Sequence, residues 1–94
     1  MSLQKYTALL RAVELGSISK AAAQMGYTQS AVSRMIADLE QEWGMPLLHR
    51  SRAGLELSAA GQVLLPHLQA IVSDCELLEY TVGELHGLHT GLVL

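Results

Sequence analysis

Gln29, Ser30, Ser33 and Arg34 combine residue types and a spacing that suit the reading of hydrogen-bonding edges. Gln29 and Ser33 lie four apart, as do Ser30 and Arg34, so on a helix they form two adjacent stripes, and Ala37 follows without adding bulk. A glutamine amide can pair bidentately with adenine and an arginine with guanine O6 and N7. A serine hydroxyl serves base edges or phosphates, and a helix N-terminus favours a phosphate beside it. Taken alone, the same four residues also describe an ordinary solvated helix face, so the choice rests on the elements around them.

Other chemistry-bearing residues point elsewhere. Arg50 ends a short strand-like run and Arg52 sits in the turn after it, where a flexible basic tip suits a phosphate or the negative potential of a minor groove. His49 beside them could titrate near neutrality, yet nothing in its surroundings marks a switch. Cys75 falls on an apolar repeat and reads as a packed thiol rather than a nucleophile. His86 and His89 stand three apart, but no third metal ligand is close in sequence, so they read as solvated. The chain has no glycine-rich phosphate loop, paired catalytic carboxylates or nucleophile-base set, and the expectation is that it is not an enzyme.

The elements that would position these groups are punctuated by caps and glycines. Leu3, Tyr6, Leu9, Leu10 and Val13 share one helical face, with Ser2 as N-cap and Gly16 as stop. A short second helix carries Ile18, Ala21, Ala22 and Met25 between Ser17 and Gly26. A third, capped by Thr28, carries Val32, Ile36, Leu39 and Trp43 and ends at Gly44 before Pro46. Ala22 permits close approach of the second and third helices, Gly26 turns the chain, and Val32 fills the angle between them: a helix-turn-helix, with the polar face of Gln29 to Arg34 on its second member. Residues 47–50 and 55–57, around Ser51-Arg52-Ala53-Gly54, predict a β-hairpin. Ser58 then caps a helical pattern running to about Gly87, far beyond the roughly 11 residues of an average helix, with Pro66 expected to bend it.

Charge is partitioned in the same way. The net charge of −3 argues against a polyanionic partner at first sight. Residues 1–54, however, hold all six basic residues and four acids, a net +2, while residues 55–94 hold five acids and no Lys or Arg, a net −5. Two jobs are implied, one half meeting a polyanion and the other not. The single cysteine excludes an internal disulfide, no targeting segment opens the chain, and no apolar run is long enough for a membrane span; a cytoplasmic location is expected.

With these motifs in place, the runs Gly16-Ser17-Ile18-Ser19-Lys20-Ala21-Ala22, Thr28-Gln29-Ser30-Ala31-Val32-Ser33-Arg34 through Leu39-Glu40, Leu47-Leu48-His49-Arg50 and Leu57-Ser58-Ala59-Ala60-Gly61 resemble the N-terminal domain of LysR-type transcriptional regulators. The resemblance implies a mainly α fold, a winged helix-turn-helix followed by a long dimerising linker helix, binding an inverted-repeat operator in double-stranded DNA. It implies groove contacts from Gln29, Ser30, Ser33 and Arg34, and backbone or wing contacts from Ser17, Thr28, Arg50 and Arg52. Leu48 stands where the family usually has Phe, and Ser30 where it often has Pro. No cofactor is expected in this segment; the resemblance places a small-molecule effector in a further C-terminal domain.

Leu64, Leu68, Ile71, Cys75, Leu78, Val82 and Leu85 alternate spacings of four and three, the period of a coiled-coil seam. A helix this long cannot bury its seam against so small a core, so a second copy is the expected cover, held by apolar burial because no Lys or Arg complements the acids; a helix packed within a larger monomer is the alternative. The organisation expected is therefore a winged helix-turn-helix at 1–57, a linker and dimerisation helix at 58–88, and, at 89–94, the start of an effector-binding domain, in which residues 91–94 read as the opening of a strand. Two other readings stay open on sequence alone: a self-contained small winged-helix repressor, and a helical protein-interaction module.

Overall fold

The structure, a computed structural model, describes residues 2–93, with side chains through Gly87. Its elements are α1 (Leu3–Leu15), α2 (Ile18–Met25), α3 (Gln29–Trp43), β1 (Leu48–Ser51), β2 (Gly54–Leu57) and α4 (Ala59–Val93). The glycine stops behave as expected: Gly16, Gly26 and Gly44 take left-handed backbone at the ends of α1, α2 and α3, a conformation in which a Cβ would be strained. Ser17 and Thr28 cap α2 and α3 by accepting bonds from Lys20 N and Ala31 N, each 3.1 Å. Ser2 occupies the cap position of α1 without a side-chain bond.

The first three helices pack pairwise around Leu9, Val32, Leu39 and Leu47, all fully buried, with Ala8, Ala12, Ala21 and Ala22 letting backbones approach closely. Tyr6 and Trp43 pack rings 5.7 Å apart at the far end of α3. β1 and β2 pair antiparallel, with Leu48 opposite Leu57, His49 opposite Glu56 and Arg50 opposite Leu55. The strands are shifted from the expected 47–50 and 55–57, because Leu47 is drawn into the core and Gly54, at φ +116°, reverses the chain without positive φ at Arg52 or Ala53. Two acceptors fasten this wing. The Glu40 carboxylate accepts from Leu47 N at 2.7 Å and Leu48 N at 3.3 Å, and Leu47 O accepts from Ser58 N at 2.8 Å.

Two expectations about the long helix are corrected. Leu68 is buried in the chain's own core, together with Val72, and Leu64 and Cys75 are half-buried, so the early seam positions do not all wait for a partner. A strict heptad stripe drifts about 20° per heptad on a straight helix. It therefore begins against α1 and winds outward, leaving Ile71, Leu78, Val82 and Leu85 exposed. Arg11 secures this packing, its guanidinium bonding Glu14 at 2.7 Å and Glu76 of α4 at 2.9 Å. The hydrogen bond to Glu14, with the Glu76 charge, holds its pKa above the ordinary arginine value despite some desolvation.

The second correction concerns the end of the helix. α4 passes through Pro66 and Gly87 and continues to Val93, so residues 91–93 are helical where a strand was expected; Leu94 lies outside the described residues. The two hairpin strands pair only with each other and offer no edge there, whereas a helix satisfies its own backbone groups and bears a glycine at a cost of only about 1 kcal/mol. The side chain of His89 also lies outside the described residues, and no cluster of three metal-ligating side chains occurs among those described. No described helix is long and apolar enough to cross a membrane.

Candidate nucleic-acid interface

α3 begins the interface. Its buried face, Val32, Ile36 and Leu39, fixes the rotation of the helix, and rotation in turn decides what faces out: Gln29, Ser30, Ser33, Arg34 and Ala37 line one shallow open surface. The four groove residues singled out from the sequence are thus brought together. Ser33 is half-buried, because it also lines the crevice between α3 and the wing with Ile36, Glu40, Leu48 and Arg50.

A second cleft of about 300 Å³ adjoins the first, where Ser17, Ser19, Gln29, Arg50 and Ser51 meet the apolar Ile18 and Leu55. The wing's register explains the presence of Arg50. Its cross-strand partner is Leu55, so it shares the inward pleat with Leu48 and turns toward α2 and α3, while His49 and Glu56 pair at 3.2 Å on the outer face. Arg52 sits at the hairpin tip outside both surfaces, and Thr28 lines neither. Gln29 lines both surfaces, so Ser17, Ser30, Ser33, Arg34 and Arg50 are gathered on either side of it. Ser17 and Thr28 use their oxygens as caps, which leaves each hydroxyl proton available to an incoming acceptor.

Electrostatics sort the basic residues. Lys5 and Arg34 flank Asp38 at 3.4 and 3.6 Å, and Arg11 is committed to Glu14 and Glu76. Lys20, Arg50 and Arg52 make no ion pair among the described residues and are exposed. Arg34, although paired, is 83% exposed and free to turn outward from α3. The surface can therefore offer amide, hydroxyl and guanidinium donors in a positive field, the equipment for binding a polyanion with base-edge contacts.

Three contributors escaped sequence reasoning. Ser19 donates to Gln29 Oε1 at 2.9 Å, Glu40 anchors the wing, and Asp38 sets the resting position of Arg34. The i, i+4 spacing of Arg34 and Asp38 was a readable signal. The other two bonds span different elements and depend on packing that no local pattern encodes. Cys75 contributes nothing here: its thiol donates to Glu79 at 3.7 Å, and desolvation, then the Glu79 charge, raises its pKa.

Comparison with known proteins gives a consistent picture. Residues 3–62 match the family described as bacterial regulatory helix-turn-helix protein, lysR family. The HTH-type transcriptional regulator GalR of Pseudomonas putida is 34% identical over 86 residues, covering 92% of this chain and 22% of that protein. A probable nitrogen assimilation transcriptional activator of Synechococcus elongatus is 38% identical over 91 residues, 97% of this chain and 28% of that one. The chain thus spans about a quarter of the length of these curated relatives. Among solved structures, the CbnR DBD–DNA complex superposes with a TM-score of 0.73 at 27% identity, covering 95% of this chain and 99% of that one. The BenM DBD/catB site 1 DNA complex shares the fold, with a TM-score of 0.80 at 24% identity over 92% and 97% of the two chains.

Proposed function

The chain belongs to the lysR family of bacterial regulatory helix-turn-helix proteins, and from that premise we propose that it reads an inverted-repeat operator in double-stranded DNA as a homodimer. The observation that carries this reading is the single outward surface of Gln29, Ser30, Ser33 and Arg34 on the second helix of the helix-turn-helix. α3 enters the major groove by its N-terminal turns, and Gln29, Ser30, Ser33 and Arg34 meet base edges. Ser17, Thr28 and Arg50 hold the flanking backbone, and Arg52 at the tip reaches the adjacent minor groove. Lys20, exposed and without an ion pair, adds to the positive field.

Dimerisation rests on the exposed side of α4, where Ile71, Leu78, Val82 and Leu85 continue the heptad stripe and Leu77 and Tyr80 widen it. Pairing of two such helices would cover apolar area that the monomer leaves in water, and would set the spacing between two α3 helices. In this organisation residues 1–57 form the reading head, the linker helix continues from 58, and small-molecule sensing belongs to a further domain. The chain is a DNA-binding module and not an enzyme.

The test is a titration of labelled operator candidates, drawn from genomic fragments, at two salt concentrations with wild type and Arg34→Ala. Steep salt dependence with fragment selectivity supports the reading. Arg34→Ala should lower affinity for the preferred fragment by about 1–3 kcal/mol and relax preference at one base pair. Binding to no fragment would favour a helical protein-interaction module instead.

A further inference from the structure

Ser19 sits in the first turn of α2 and Gln29 is the first residue of α3; both are exposed, and the Ser19 hydroxyl donates to Gln29 Oε1 at 2.9 Å. A glutamine amide carries an acceptor at one corner and two donors at the other. What it says to a base depends on which corner faces which atom: adenine N6–H requires the oxygen, and a purine N7 requires the N–H. A free glutamine at a helix N-terminus can present either order by turning its amide through a half-circle. The Ser19 hydroxyl can donate to the amide oxygen or accept from the amide nitrogen, so in either order it tethers the Gln29 side chain beside α2 and restricts where its free corner can point.

We propose that Ser19 is a specificity-determining positioning residue, which touches no base but holds the Gln29 side chain in the one place from which its amide meets a single base pair. The inference rests on the proposed role of Gln29 as a base contact. α2 brings Ser19 to this place because Gly16 and the Ser17 cap start the helix beside the N-terminus of α3, and both residues line the same cleft. The Ser17 hydroxyl makes the cap, so Ser19 is not needed for the integrity of α2. Removing its hydroxyl leaves the fold in place and frees the amide, and the preference at that base pair broadens.

The experiment is selection of bound sites from a partly randomised operator by wild type, Ser19→Ala, Ser19→Thr, Gln29→Ala and the Ser19→Ala/Gln29→Ala double variant. Salt dependence is measured for each. Gln29→Ala should abolish preference at one base pair, and Ser19→Ala should flatten it there by about 3- to 10-fold, the scale of a hydrogen-bonded pair's coupling. Ser19→Thr, which restores a hydroxyl, should restore the preference, the salt slope should not change, and Ser19→Ala should add nothing once Gln29 is gone. Full preference in Ser19→Ala alongside its loss in Gln29→Ala would overturn the positioning role and leave the base contact standing. Unchanged preference in Gln29→Ala would remove both, and a further effect of Ser19→Ala in the Gln29→Ala background would show that Ser19 acts by another route.

Discussion

Replacing Gly61 by alanine sets two effects of known sign against each other. Gly61 lies in the first turns of α4, where alanine is favoured over glycine by about 1 kcal/mol on helix propensity. A Cβ at this position, however, would stand 2.6 Å from Leu47 O and 2.7 Å from Leu57 Cδ2. The leucine tip can turn away, but the carbonyl cannot. It belongs to backbone fixed on one side by the fully buried Leu47 side chain and on the other by its bond from Ser58 N. Relief requires α4 to move off the wing, with an overpacking cost of about 1–3 kcal/mol and loss of a hydrogen bond contributing about 1 kcal/mol. Subtracting the propensity gain leaves a destabilisation of about 1–3 kcal/mol, or a fall in Tm of roughly 4–8 °C per kcal/mol for a chain of this size. Thermal unfolding followed by circular dichroism measures it directly. Gly83→Ala is the control: it lies in the same helix with nothing within 4 Å of its Cβ, so it should slow amide exchange locally rather than destabilise. A Gly61→Ala protein as stable as wild type would refute the claim that α4 is pressed on the Leu47 backbone and on Leu57 of β2 at this point.

Other outcomes follow from the same structure. Glu40→Ala removes the acceptor shared by Leu47 N and Leu48 N and should cost about 1.5–3 kcal/mol in urea unfolding, with Glu40→Gln retaining part of it. Leu68→Ala should destabilise the folded chain by about 2–5 kcal/mol, since Leu68 is buried in its own core. Leu78→Lys, at an exposed position, should leave folding intact and lower the sedimentation mass to that of a monomer. Cys75, with its pKa raised by desolvation and by Glu79, holds less thiolate at neutral pH than an ordinary cysteine. Iodoacetamide should therefore label it more slowly than a free peptide thiol, the rate rising as pH is raised, and Glu79→Gln should speed labelling.

How much of this was legible in the sequence depends on whether the determining interaction is local. Helix ends were written in Gly16, Gly26 and Gly44 and in the Ser17 and Thr28 hydroxyls, all of which act within a few residues. The outward polar face of α3 was legible because burial of Val32, Ile36 and Leu39 dictates where Gln29 and Arg34 point. The seam was only half legible. Its spacing is local and can be read, but which of its members meet α1 depends on the height at which α4 crosses the first three helices, and Leu68 and Val72 therefore went to the core. The separation of Arg50 from Arg52 was hidden for a related reason, since it follows from a strand register set by Leu47 and Gly54. Ser19 and Glu40 act across elements and left no trace in spacing.

The uneven charge of this elongated molecule, 57 Å in its longest dimension, has a kinetic consequence. Lys20, Arg50 and Arg52 stand at the head, while Asp74, Glu79 and Glu84 lie along a helix without a single Lys or Arg. Such a body is an electric dipole, and in the field of a polyanion it feels a torque as well as an attraction. Within a screening length of about 8 Å at physiological ionic strength, the torque turns the head toward the duplex and the acidic helix away before any contact forms. If the chain binds DNA as proposed, the acids of α4 would act as a rudder, raising the fraction of collisions that arrive face-on without ever touching the duplex.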